Sequence, residues 1–305
     1  MIKPKLIQQF IVEPGTSVNL KQYVTDWTES AEAQDLGKDA IKERANVILT
    51  ESHKQLAAAQ ELLYASDTNS VLLIFQAMDA AGKDGTIRHV MSGVNPQGCQ
   101  VYSFKKPSAE ELDHNFLWRY MKALPERGRI GIFNRSYYED VLVVKVHPEW
   151  LGPGQPANPD AKFWEKRYED INNFEKHLVR NGTLVLKFFL HVSKGEQKRR
   201  FLERLNNPDK HWKFSESDMA EREYWKDYQQ AFEDALSATS TKRAPWYVIP
   251  ADRKYIARAM VADIVCTAIQ DMGLKYPKVS AATMTRLEAA RAQLEKTPND
   301  DKPAT

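Results

Sequence analysis

Ala77-Met78-Asp79-Ala80-Ala81-Gly82-Lys83-Asp84-Gly85-Thr86 follows directly on the apolar run Val71-Leu72-Leu73-Ile74-Phe75. A short run of this composition, uninterrupted by polar residues, suits a strand buried on both faces. The stretch after it opens a helix, so the chain passes from strand through a loop of small residues to a helix N-terminus. Backbone N–H groups at such a place bind phosphate oxygens, and a lysine directly after the glycine adds charge to the outer phosphates. Lys83 takes that role, with Ala80, Ala81, Gly82, Gly85 and Thr86 completing the cradle. Against the Walker A pattern G-x-x-x-x-G-K-[ST] the stretch departs twice: Ala77 stands for the first glycine, and Asp84 for the hydroxyl residue that holds Mg²⁺. Magnesium must then be held differently. It prefers carboxylate and phosphate oxygens, which makes Asp79 the leading ligand. Asp84 is read in two ways, as part of the phosphate site or as a cap on the helix. A turn with no ligand is the plain alternative, and the succession of strand, Gly-Lys and helix argues against it.

Working outward, four more stretches rich in β-branched and aromatic residues join Ser70 to Gln76 as strand candidates: Gln100 to Phe104, Arg129 to Asn134, Thr183 to Leu190 and Trp246 to Pro250. Helix-length segments lie between them, and Ser108 with Glu111, Ser193 with Glu196 and Ser215 with Asp218 read as capping boxes. Helices are expected near Asp39 to Tyr64, Phe163 to Arg180, Glu221 to Leu236, from beyond Pro250 to about Met272, and from Ser280 to Glu295. The alternation predicts an α/β fold with a parallel five-stranded sheet between helices, whose ligands sit at the carboxyl ends of the strands. Residues 1–65 read as an N-terminal helical extension and 66–275 as the domain that carries the loop, with a lid at about 193–225. Residues 276–305 read as a C-terminal helix and a polar tail, 297–305, expected to be disordered.

Function is therefore sought just after each strand. After the third come Asn134-Arg135-Ser136-Tyr137-Tyr138-Glu139-Asp140. Asn134 holds the place where a phosphate-loop protein usually carries a metal-binding Asp, and Arg135 faces the same crevice as Lys83, where it can grip a transferring phosphoryl group. A surface ion pair with Glu139 is the bland alternative for Arg135. Lys105 or Lys106, at the end of the second strand, could line the crevice too. After the fourth strand, the stretch Lys194 to Lys213 carries seven Lys and Arg against three acids. Helical spacing puts Arg200 and Arg204 on one face, a stripe suited to a polyanion or to a lid over phosphates. Asp218 reads as the cap partner of Ser215, and the aromatics Tyr224, Trp225 and Tyr228 read as core.

Composition narrows the classes further. The 305 residues carry 43 Lys and Arg against 41 Asp and Glu, a formal net charge of +2. Duplex-binding proteins usually show a strong basic excess, so nucleic acid is not an expected partner. No apolar run approaches a membrane span. Two cysteines, Cys99 and Cys266, cannot build a disulfide framework, and a cytoplasmic location is expected.

The loop Ala77–Gly85, the segment Gly131–Glu139, Lys213-Phe214-Ser215 with Asp218, and Ala244–Asp252 together resemble the polyphosphate kinase type 2 family. The resemblance implies a P-loop kinase fold with an arginine-rich lid, Mg²⁺ with Mn²⁺ as a substitute, and reversible phosphoryl transfer between inorganic polyphosphate and a nucleotide. It also implies a homo-oligomer. Carried over by position, Asp79 and Lys83 match the loop acid and lysine, Arg135 the arginine after the third strand, and Arg200, Arg204, Lys213 and Asp218 the lid region. Asn134 stands where many members have Asp. Glu139 stands where others have Asn, and this acid resembles the subgroup that phosphorylates both nucleoside mono- and diphosphates. The expected acceptors are ADP and AMP, with guanine as the alternative base. An ATP-dependent nucleoside or nucleotide kinase is the runner-up, and a non-catalytic polyphosphate-binding protein the reading from another class. A GTPase switch lacks its Asn-Lys-x-Asp signature.

Overall fold

In a computed structural model, every residue is described except 1, 31, 32, 34, 35 and 297–305. The tail read above as disordered thus lies outside the described residues. Five strands form one parallel sheet: β1 Ser70–Ala77, β2 Cys99–Ser103, β3 Ile130–Asn134, β4 Thr183–His191 and β5 Trp246–Pro250, in the order β2-β3-β1-β4-β5. The longer helices are α1 Lys38–Ser66, α2 Lys83–Val90, α3 Ala161–Arg180, α4 Lys194–Asn206, α5 Glu216–Glu221, α6 Trp225–Thr239, α7 Lys254–Gln270 and α8 Ala281–Lys296. All five expected strands are present within one or two residues. Residues 1–274 form one compact unit and 275–305 a second. No residue of α8 is buried.

The N-terminal segment does not stand apart from the sheet. Val12 N donates to Trp246 O at 2.9 Å and Val248 N to Phe10 O at 2.7 Å, so the segment covers the outer edge of β5. One expected helix is broken. Instead of running from Glu221, it is split into α5 and α6, because Glu221 and Arg222 turn to other partners: His147 Nε2 lies 2.9 Å from Glu221 Oε2, and Arg222 Nη1 donates to Gln197 Oε1 at 2.6 Å. Among the described residues no helix is long and apolar enough to cross a membrane.

Two buried polar groups mark the core. Lys187 on β4 and Glu175 on α3 are both 0% exposed. Lys187 Nζ donates to Glu175 Oε2 and to Thr239 O, both at 2.7 Å, and Tyr137 and Tyr138 donate their hydroxyls to Glu175 Oε1 at 3.0 and 2.8 Å. Burial lowers the Lys187 pKa, and the Glu175 carboxylate opposes this. At the end of β4, His191 is buried and its Nδ1 has no hydrogen-bond partner among the described residues. Burial lowers its pKa from 6.5 to about 4. Between those values the unfolded chain takes up a proton that the folded ring refuses, so stability falls as pH drops through 6.5 toward 4. By pH 5 this loss amounts to about 2 kcal/mol. His191→Gln is expected to remove it, which a comparison of urea midpoints for variant and wild type at neutral and mildly acid pH will read. An identical acid shift in both proteins would show that the ring is not the cause.

Candidate active site

Register explains why distant residues meet. β1 and β3 are parallel neighbours with Phe75 opposite Asn134, so the segments leaving them emerge side by side. Arg135 N donates to Phe75 O at 3.0 Å, and Arg135 takes the left-handed conformation, φ +65°. That conformation costs a non-glycine residue on the order of 1–2 kcal/mol, and here it goes with a side chain turned back toward the loop. Arg135 Nη2 lies 3.2 Å from Asp79 Oδ1, and Nη1 lies 3.9 Å from Glu139 Oε2. The ion pair with Glu139 therefore exists, but the pair with Asp79 is closer and joins the two strand ends. Glu139 is fixed from below by Gln76 Nε2 at 2.8 Å. The carboxylate of Glu139, then that of Asp79, raises the Arg135 pKa.

Within the loop, positive φ at Ala80 (+59°) and Gly82 (+107°) turns the backbone around the expected phosphate position. Lys83 Nζ reaches back to Ala77 O at 3.1 Å. Burial lowers its pKa, with the Arg135 charge adding to the effect, so the ammonium waits for an anion. Gly82, not Asp84, occupies the N-cap of α2. Asp84 instead accepts from Asn134 Nδ2 at 2.5 Å, which ties β3 to the loop helix. Thr86 is buried and its N–H is committed to Gly82 O at 2.9 Å, so it acts in the helix start rather than on a ligand. Gly85 lies on the first turn of α2.

On the other flank β4 pairs with β1, Leu190 opposite Ala77, and delivers α4 to the loop. Arg200 differs from its expected place in the lid. It is 4% exposed and donates to four backbone carbonyls: Ala80 at 3.0 Å, Ala81 at 2.6 Å, Ala251 at 2.6 Å and Asp252 at 3.2 Å. Its Nε takes Glu196 Oε1 at 2.7 Å. A guanidinium engaged on every nitrogen holds the loop and the end of β5 together and leaves nothing for polyphosphate. Arg204, in the stretch expected to form a lid, pairs with Asp218 Oδ2 at 3.3 Å and Lys213 O at 3.2 Å. Asp218 is thus a partner of Arg204, and Ser215 caps Ser217 N instead. The Lys213 ammonium lies 4.8 Å from the Trp212 ring, and both residues are exposed.

A cleft of about 970 Å³ opens beside the loop, lined by Asp79, Lys105, Arg135, Glu139 and Asp218 among others. Lys106 lines it too. Sequence reasoning missed one group there and named Asp140 only as a metal or substrate contact. Gln197 donates to Asp79 O at 3.0 Å and thereby fixes the loop acid; being uncharged, it carried no signal beyond its α4 spacing from Arg200 and Arg204. Asp140 sits between Arg167 Nη1, 3.8 Å away, and the Tyr120 hydroxyl, which donates to it at 3.2 Å. Burial pushes the Asp140 carboxyl up to about 6.

The donor set fits a divalent cation that shares its shell with substrate. Among the described residues no group of three or more His, Cys, Asp or Glu could hold a metal by itself. Asp79 at the mouth of the loop supplies one carboxylate, which is the protein's usual share where Mg²⁺ takes its other oxygens from phosphates and water.

Known proteins are similar to this chain. The sequence profile of the polyphosphate kinase 2 family matches residues 39–277. An ADP-polyphosphate phosphotransferase of Rhodopseudomonas palustris is 50% identical over 290 residues, covering 94% of this chain and 98% of that one. An AMP/ADP-polyphosphate phosphotransferase of Meiothermus ruber is 43% identical over 277 residues, covering 91% and 98%. The crystal structure of polyphosphate kinase 2 from Arthrobacter aurescens TC1 superimposes with a TM-score of 0.82 at 38% identity, covering 94% of this chain and 95% of that one.

Proposed function

Because the chain belongs to the polyphosphate kinase 2 family and transfers phosphoryl groups between polyphosphate and nucleotides, we propose that it converts ADP to ATP and also phosphorylates AMP, reversibly and with Mg²⁺. The observation that carries the site assignment is the meeting of Asp79, Arg135 and Glu139 at the mouth of a loop whose lysine is half-buried and, among the described residues, in no ion pair with an acid. The attacking group on ADP or AMP is a terminal phosphate oxygen, already anionic near neutral pH. No strong general base is needed, and catalysis reduces to positioning and neutralisation of charge.

In this reading the loop N–H groups and Lys83 hold the donor phosphates, and Arg135 bridges donor and acceptor across the cleft. Gln197 and Arg200 keep the loop in shape from behind. Asp79 holds Mg²⁺, or Mn²⁺ in its place, and the ion supplies charge neutralisation on the transferring phosphates when bound. Arg204, Lys213 and Asp218 belong to a lid that closes over the polyphosphate, and Lys105 lines the path.

The two relatives divide on the acceptor, one named for ADP and the other for AMP and ADP. Glu139 supports the wider choice, since its carboxylate is held rigidly by Gln76 and Arg135 on the wall of the cleft. Glu139→Asn is expected to lower kcat/KM for AMP more than for ADP, by about tenfold in the ratio, the value of one lost charge-assisted contact. Equal losses on both would remove Glu139 from acceptor choice. Parallel assays of AMP, ADP, GMP and GDP with polyphosphate as sole donor test the reading as a whole. Transfer to a nucleoside from ATP without polyphosphate would favour the ATP-dependent kinase instead. Free thiols at Cys99 and Cys266 support a reducing, cytoplasmic setting, and the family resemblance supports a homo-oligomer.

A further inference from the structure

Outside the cleft, cations collect around the first turns of α2. Arg258 on α7 places its Nη2 3.7 Å from where a Cβ on Gly85 would stand, so its guanidinium lies in van der Waals contact with the loop helix. Arg200 approaches Gly82 in the same way, at 3.6 Å. Arg88, one turn beyond Gly85 on α2, is exposed. Neither Arg88 nor Arg258 has a hydrogen-bonding or acidic partner among the described residues. The acids nearby are already shared. Glu196 serves Arg199 and Arg200, while Glu203 serves Arg199, Lys210 and Lys254. Six cations, Arg88, Arg199, Arg200, Lys210, Lys254 and Arg258, therefore stand against three acids, the third being Asp84, four residues before Arg88 on α2 and already bonded to Asn134. Burial lowers the Arg258 pKa, and the charges of Arg88 and Arg200 lower it further. No acid among its neighbours opposes them.

An unbalanced row of this kind is costly unless an anion accompanies it, and its place is telling. It adjoins the helix that Lys83 opens and lies outside the nucleotide cleft, whose lining includes neither Arg88 nor Arg258. We propose that Arg258 and Arg88 form a strip that binds the distal phosphates of a polyphosphate chain whose reacting end lies in the loop. The proposal rests on the phosphotransfer reading above. A donor too short to leave the loop does not reach the strip, whereas a long donor does, so the strip gives the enzyme a preference for long chains.

The test uses Arg88→Gln, Arg258→Gln and the double variant, with tripolyphosphate and long-chain polyphosphate as donors to ADP. The ratio of KM for tripolyphosphate to KM for the long chain is expected to fall about fivefold for each arginine removed, the upper range for a solvent-accessible ion pair. Equilibrium binding of labelled long-chain polyphosphate, measured without nucleotide, is expected to lose about 0.7 from its log–log salt slope per cation, as for a single-stranded phosphate polymer. Arg88 is exposed, so Arg88→Gln keeps the test interpretable if Arg258→Gln disturbs folding. A ratio and salt slope equal to wild type in Arg88→Gln would overturn the strip. So would equal KM rises for both donors, or a shift confined to KM for ADP, which would assign the cations to the nucleotide. A wild-type enzyme that turned over no polyphosphate, yet bound the long chain with the same dependence on Arg88, would overturn the reaction and leave the strip standing.

Discussion

Lys83→Ala is expected to lower kcat for transfer from polyphosphate to ADP by about 10²–10³-fold, the cost of removing one preorganised charge from a water-excluded site. Among the described residues the ammonium donates only to the Ala77 carbonyl, and burial together with Arg135 lowers its pKa. A phosphate arriving in the loop removes that disadvantage, so the interaction grows with the negative charge it meets. Little of the fold rests on the side chain, and the melting temperature of the variant should stay near that of wild type. Turnover within a few-fold of wild type would remove Lys83 from the chemistry. A joint collapse of activity and melting temperature would show instead that the lysine is part of the scaffold.

Lys187→Met should have the largest effect on stability, a loss of about 3–5 kcal/mol, because it strands a buried carboxylate. Glu175 would keep the Tyr137 and Tyr138 hydroxyls but lose its cation, at a place that water does not reach. Adding Glu175→Gln should restore much of the loss, since a buried pair removed whole costs far less than one broken in half. Denaturant unfolding of wild type, single and double variants measures both terms. A double variant no more stable than the single one would place the damage in packing rather than in charge. Tyr137 and Tyr138 lie in the chain between Arg135 and Glu139, so the single variant should also lose turnover at temperatures where it remains folded.

Much of the architecture was legible because the strands are short, β-branched and bounded by turns, and the phosphate loop announces the first of them. The pairing order was not legible, yet it decides the site: β1 between β3 and β4 is what brings Arg135 and Gln197 to Asp79. Spacing placed Arg200 and Arg204 on a common stripe but could not say how far each turns inward. Arg200 is claimed by carbonyls from two strand ends, while Arg204, one turn later, reaches Asp218. Ser215 caps α5 as its pattern suggested, through Ser217 N, while Asp218 gives up the reciprocal half of the box to Arg204. The broken helix at Arg222 has the same cause, since local propensity there gives way to contacts with His147 and Gln197.

The position of β1 has a consequence for how occupancy of the loop can be observed. Val71 to Phe75 are paired on both sides, and all are buried. Amides in such a strand exchange with deuterium only when the whole domain opens, whereas the mostly exposed stretch Pro208–Ala220 should exchange through small local openings. A ligand seated at the end of the most protected strand lowers the population of the open domain by the factor 1 + [L]/Kd. Slowed exchange along β1, with no ligand contact to any of its amides, would then serve as a gauge of polyphosphate binding that needs no turnover.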